Sequence, residues 1–190
     1  MTVLPWEAWS TAWPSAAPMG WWMRGAYPEH WVRFHSLPLG KRYAEDEAEA
    51  AEVRRRHEVV LRELAGSGAI PTVLTFEYLQ DDGPAETLAP VAQVMPWEHW
   101  ADVRVDEGGE PYDWTLRVLA ATLELDDPRL AALLRATADD EMQMCVVASD
   151  ATWAYAPYDV GADVLVADQD ALVLLRERHR DWLPHHADGL

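Results

Sequence analysis

The sequence predicts an α+β fold, a single domain with a largely antiparallel sheet and three to four helices packed mainly on one face. Two patterns carry that expectation. Short runs in which apolar and polar residues alternate are closed off by Gly, Pro and Asp, the mark of strands joined by turns. Helical stripes interrupt those runs at irregular intervals, which argues against regular βαβ units and the parallel sheet they build. With 190 residues, 49% of them apolar and 25% charged, the chain has material for one core and is neither a disordered tail nor a disulfide scaffold.

Residues 1–30 read as a Trp- and Pro-rich wrap, followed by the α+β domain proper at 31–190. The wrap holds five of the eleven tryptophans. Trp6, Trp9 and Trp13 recur at helical spacing, on a short helix that Pro5 opens and Pro14 ends. From Trp31 the period becomes two: Val32 and Phe34 share one face of a strand, and Trp31, Arg33, His35 and Leu37 the other. Ala44 to Ala65 is the clearest helix, with Val53, His57, Val60, Leu61 and Leu64 as its apolar stripe and Gly66-Ser67-Gly68 as its stop. Its acids precede its arginines, the order the helix dipole favours.

Pro71 to Leu79, His99 to Asp106 and Asp113 to Leu123 read as strands, with turns at Asp81-Asp82-Gly83-Pro84 and Glu107-Gly108-Gly109-Glu110; a meander is the simplest way to join them. Asp127 before Pro128 starts a helix carrying Leu130, Leu133 and Leu134. Gln143 to Ala148 and Trp153 to Tyr155 form a hairpin over Ser149-Asp150. Asp163 to Val166 is a short strand, and Asp168 caps a last helix with Leu172, Leu175, His179 and Trp182 on one face.

Fifteen Lys and Arg against 33 Asp and Glu give a formal charge of -18, which repels a phosphate backbone, so nucleic acid is not an expected partner. The start, Met1 to Glu7, carries no Lys or Arg and no stretch approaches a membrane span, so the expectation is a cytoplasmic chain without membrane contact. Cys145 sits in an apolar run and reads as a buried thiol. No phosphate-cradling loop, nucleophile elbow, H-E-x-x-H or paired cysteines occur, and no two of the seven histidines stand at i, i+4 on a predicted helix. No catalytic residue, metal or cofactor is therefore expected.

Two clusters stand out. Arg33 and His35 share one strand face, and the turn after Pro38 returns Lys41, Arg42 and Tyr43 toward them. With Trp21, Trp22 and Trp31 these outline a binding spot for a small anion or carboxylate. Set against it is the reading that the arginines pair with the chain's own carboxylates and pin the wrap, which the surplus of acid favours. The second cluster, Tyr155 to Val166, reads as a structural turn in which Gly161 takes a positive φ while Asp159 and Asp163 hold backbone N–H groups. Two aspartates four apart are too few oxygens for calcium.

The segment from Tyr158-Asp159-x-Gly161-x-Asp163 through the last helix to His179-Arg180-Asp181-Trp182-Leu183 resembles the C-terminal signature of a bacterial domain family of unknown function. That family's turn reads Y-D-x-R-G-x-D, and here Val160 stands where its Arg would be. Trp31 to Tyr43, with R-x-H-S-L-P followed by K-R-Y, is similar to a block in hypothetical bacterial proteins. The resemblance implies an α+β cytosolic protein and transfers no catalytic residue.

The leading functional expectation is a non-enzymatic interaction protein, immunity-type or regulatory, that binds a basic protein partner: its acidic surface steers encounter and its tryptophans anchor the interface. The alternative is a small-molecule-binding protein or enzyme with a Trp-lined pocket at Arg33 and His35. A mimic of nucleic acid needs carboxylates along one long face, whereas these gather at turns and helix starts.

Overall fold

The computed structural model describes residues 2–66, 69–80, 88–107 and 110–185. In chain order its elements are α1 (Trp6–Ala12), α2 (Gly20–Ala26), β1 (Trp31–His35), α3 (Glu47–Ala65), β2 (Thr72–Gln80), α4 (Pro90–Gln93), β3 (Glu98–Glu107), β4 (Glu110–Thr122), α5 (Pro128–Ala138), β5 (Met144–Val147), β6 (Trp153–Pro157), β7 (Gly161–Val166) and α6 (Gln169–Arg178). The strands make one sheet in the order β1-β7-β6-β5-β2-β4-β3. Every neighbouring pair is antiparallel.

This order corrects the meander expected for β2, β3 and β4, because β4 lies between the other two. Antiparallel pairing on both sides of β4 makes β2 and β3 run the same way, so the chain between them has to cross the sheet. It crosses with α4, as the other skipping connections cross with α3 and α5. All three helices contribute buried residues to one core, together with α6: Val60, Leu61, Ala92, Leu130, Leu133, Leu172 and Leu175 meet Val32, Phe34, Val73, Val146 and Val164 of the sheet. The expected α+β domain with its longer helices on one face is what the structure shows.

The wrap occupies the other face. Trp9, Trp13 and Met23 are buried against Leu74, Leu116, Val118, Ala154, Ala156 and Leu165. Ala154 and Ala156 present only methyl groups on that side of β6, which lets short helices and large indoles approach the strand closely. Both buried indoles satisfy their N–H: Trp9 donates to the Ala16 carbonyl at 2.9 Å and Trp13 to that of Ala151 at 2.7 Å. β5, β6 and β7 are consequently buried along their whole lengths, on both faces.

Local chemistry explains the element ends. The third helix starts at Glu47, later than the expected Ala44, because the Asp46 carboxylate accepts from the Glu49 N–H as N-cap and the residues before it are not helical. Gly66 ends it with φ 68°. Asp127 and Asp168 cap α5 and α6 as expected. The turns at 81–84 and at Gly108-Gly109 lie outside the described residues. Gly161 is not the positive-φ residue that was expected. It opens β7 opposite His35, and a Cβ there would stand 2.1 Å from the Phe34 carbonyl oxygen. Asp163 lies within β7, in the strand expected from Asp163 to Val166, which starts two residues earlier, at Gly161.

Of the leucines on the three predicted stripes, Leu61, Leu133, Leu134, Leu172 and Leu175 are buried, whereas Leu64 is only partly covered at the rim of the core. Leu61→Ala, Leu133→Ala and Leu172→Ala are expected to cost about 2–5 kcal/mol each, and Leu64→Ala clearly less. Urea unfolding midpoints check this; an equal loss at Leu64 would show that the α3 face is assigned wrongly. Trp9→Ala is expected to cost about 3–5 kcal/mol in the same assay, because the wrap forms half of the interior.

Candidate functional site

The sheet edge at β1 and β7 carries a buried carboxylate. Asp163, 3% exposed, accepts from the Trp31 indole N–H at 3.0 Å and from Arg33 Nε at 3.0 Å, both through Oδ1. Arg33 Nη2 adds a 3.4 Å bond to Oδ2. Arg24 of α2 brings Nη1 to 3.9 Å of Oδ2, and its guanidinium lies over the Trp31 ring. Gly20 comes so close that a Cβ there would sit 2.8 Å from Oδ2. Alternation along β1 places Trp31 and Arg33 on the wrap side of the sheet, and their register partners Leu165 and Asp163 follow.

Beside this knot lies a cavity of about 230 Å³ whose walls include Trp21, Arg24, Arg33, Phe76, Met144 and Tyr158. Arg33 stacks over the Tyr158 ring, 5.2 Å from its centroid. The Tyr158 hydroxyl is buried with no hydrogen-bond partner among the described residues. Burial, reinforced by the negative charge of Asp163, holds its pKa well above the ordinary phenol value.

The remaining residues of the expected anion spot do not converge there. Lys41 Nζ reaches both Glu49 oxygens, at 2.7 and 2.6 Å. Arg42 donates through Nε to Asp159 and lies over the Tyr43 ring. Asp159 is thus an ion-pair acceptor rather than a holder of turn N–H groups; the turn closes through backbone bonds between Tyr158 and Gly161. His35 packs its ring against Gly40, and burial together with the Arg33 charge depresses its pKa. Trp22 stacks on Trp21, with centroids 5.4 Å apart. Trp21 and Arg33 are therefore the members of the expected set that line the cavity, while Trp31 holds Asp163 beside it. Arg24 and Tyr158 are additions; a lone arginine inside the apolar run Met19 to Ala26 was the available signal for Arg24.

A second polar chain runs through the helical core. His57 of α3 bonds the Tyr155 hydroxyl through Nδ1 at 2.6 Å and Ser36 Oγ through Nε2 at 3.3 Å. A neutral imidazole donates at one nitrogen and accepts at the other, so both partners are satisfied. All three residues are buried, and the chain ties α3 to β6 and to the end of β1. Desolvation lowers the His57 pKa to about 4.

The opposite end of the sheet has a different character. Between the start of the wrap and the edge strand β3 lies a cleft of about 660 Å³, lined by Trp6, Glu7, Glu98, His99, Trp100 and Asp102 among others, with no Lys or Arg in its wall. Trp6 meets Trp100 edge to face at 5.2 Å, and the Trp100 indole donates to the Leu4 carbonyl. Trp100 falls at a register shift between His99 and Ala101, an extra residue that lets its indole reach under the wrap. Arg117 of β4 pairs with Asp102 at 3.2 Å, while Glu7 and Glu98 pair with no cation among the described residues.

The β1 edge is closed by comparison. Arg176 donates to the Trp31 carbonyl at 2.6 Å and Arg56 to the His35 carbonyl at 2.9 Å, on the side of β1 that faces away from β7.

The family described as Domain of unknown function (DUF3885) matches residues 19–187, and the chain belongs to that family. No curated protein and no solved structure matches the chain. The matched span contains the Trp31–Tyr43 and Tyr158–Leu183 segments, and it begins after α1. Among the described residues no helix is long and apolar enough to cross a membrane.

Two outcomes follow from the polar interior. Arg33→Ala leaves Asp163 buried with much of its compensation gone and is expected to cost about 3–5 kcal/mol, with tryptophan emission shifting red as the wrap loosens. A variant as stable as the parent would show that Asp163 does not depend on Arg33. The second outcome is a pH dependence. His57 binds its proton near pH 6.5 when unfolded and only near 4 when folded, so its contribution is complete above 6.5 and declines as pH falls toward 4. The decline amounts to about 3 kcal/mol over that window. His35 acts in the same direction, whereas Glu52, held at about 2 by its bond from Arg55, loses its contribution only below about 4.5. Urea midpoints at pH 7 and pH 5 should therefore converge in His57→Gln relative to the parent; an undiminished gap would remove His57 as the cause.

Proposed function

We propose that this member of the DUF3885 family is a cytoplasmic interaction protein, immunity-type or regulatory, that binds a basic protein partner and performs no catalysis of its own. The observation that carries the reading is the cleft beside β3: Glu7 and Glu98, with Asp102 already held by Arg117, surround two indoles in a wall without Lys or Arg. A guanidinium or ammonium entering it meets the indoles of Trp6 and Trp100 for cation–π contact and the carboxylates for charge-assisted hydrogen bonds. Tryptophan is the side chain most enriched at energetic anchors of interfaces. The formal charge of -18 adds long-range attraction for a cationic partner. A cleft at an edge strand also leaves room for an extended basic segment to lie alongside β3.

The reading predicts a localised and salt-sensitive response to an arginine-rich peptide used as probe. Association should slow markedly as salt rises past about 0.15 M, where the field is screened over about 8 Å, while dissociation changes less. The double variant Glu7→Lys/Glu98→Lys should slow association roughly tenfold or more at low salt. Glu29→Lys/Glu177→Lys carries the same charge change at exposed positions that do not line the cleft, and should slow it far less. Equal slowing by the two double variants would reduce the effect to bulk charge and defeat the assignment of the cleft.

A further inference from the structure

We propose that the cavity beside Asp163 is a binding site for a small organic monoanion, a carboxylate on a short apolar body, independent of the acidic cleft. The state of the arginines at the wall is the first argument. Arg24 and Arg33 both face one carboxylate, Asp163, and the other acid at the cavity, Asp140, is met by Arg42 at 3.9 Å. Arg42 also holds Asp159, so these three arginines and the carboxylates Asp163, Asp140 and Asp159 balance, and what the wall keeps is spare hydrogen-bonding capacity rather than surplus charge. That capacity resides on Arg24, whose guanidinium is 31% exposed and makes no hydrogen bond among the described residues, only the 3.9 Å ion pair and the contact with the Trp31 ring. Arg33, 13% exposed and bonded through two nitrogens to Asp163, supplies charge from behind.

The second argument is the unspent donor. A buried hydroxyl without a partner costs stability, and the Tyr158 hydroxyl has none while its ring forms part of the cavity wall. An acceptor oxygen bound beside Arg24 satisfies both groups at once. The third is size and lining. At about 230 Å³ the space lies below the usual range for drug-sized ligands, about 300–1,000 Å³, and suits one ring or a short chain. Phe76, Met144 and the half-open face of Trp21 offer that body apolar contact, which a bare inorganic anion cannot use.

Isothermal titration of the full chain with benzoate and hexanoate, against benzamide and inorganic phosphate, tests the assignment. One-to-one binding of at least one carboxylate is expected, with benzamide at least about tenfold weaker because it lacks the charge that Arg24 reads. Arg24→Gln should weaken the carboxylate by a similar factor. Tyr158→Phe is the decisive variant: it removes an oxygen that holds no hydrogen bond in the fold, so the urea midpoint should stay or rise while carboxylate affinity falls severalfold. A purely structural tyrosine would leave affinity where it was. No saturable binding of either carboxylate, equal affinity for benzamide, or carboxylate affinity unchanged in both variants would overturn the site.

Discussion

The buried carboxylate of Asp163 is the tie on which the arrangement of the wrap depends. A charge held at 3% exposure has lost its hydration, and it is tolerated only where donors replace the water. Its donors come from β1, as the Trp31 indole and the Arg33 guanidinium, while α2 supplies Arg24 at longer range. The net stabilisation from such a cluster is small, because desolvation offsets most of the attraction. Its effect is on geometry. A one-residue slip of β1 along β7 would carry Trp31 and Arg33 to the other face and leave Asp163 unpaired, so the cluster fixes the register of an edge strand. Gly20, with no room for a side chain against Asp163, brings the start of α2 down onto the same point.

That seat lets a chain of this length bury a sheet on both faces. The helical face was legible from sequence because the signals are local: Asp127 before Pro128, Asp168 before α6, and leucines at helical spacing in α5 and α6. Strand alternation at Val32 and Phe34 was equally local. The placement of the wrap was not, because the partners of Trp9 and Trp13 are Ala154, Ala156 and Leu165, some 140 residues away, and alanine in a strand pattern says nothing about what will lie on it. Strand order failed for a related reason. Turn chemistry identifies a hairpin such as β5–β6, but a connection as long as that between β2 and β3 is compatible with adjacency or with a crossing, and only the packing of Ala92 and Met95 against the α5 side decides it.

The candidate sites show the same division. Arg33 paired with its own acid follows from the surplus of carboxylates, since an arginine in so acidic a chain has abundant partners. Lys41 with Glu49 and Arg42 with Asp159 obey that arithmetic too, which is why the expected basic spot is largely neutralised. Arg24 beside Tyr158, and Glu7 beside Glu98, join segments separated by most of the chain or by a face of the sheet. No spacing in the sequence encodes either pair.

The two edges of the sheet are managed in different ways, and the contrast bears on the proposed docking of a basic partner. At β1 the outward carbonyls of Trp31 and His35 are already bonded by Arg176 and Arg56, so an approaching strand would have to displace charge-assisted hydrogen bonds. At β3, which carries Arg104 further along, the edge is interrupted by an irregularity at Trp100, and Glu98 and Asp102 flank that irregularity beside the cleft. Under the proposed function, carboxylates at the Trp100 end of that edge disfavour a second acidic chain and favour a cationic segment. Arg56 and Arg176 seal β1 and Arg24 and Arg33 face Asp163, whereas the cleft at the opposite edge has no Lys or Arg in its wall.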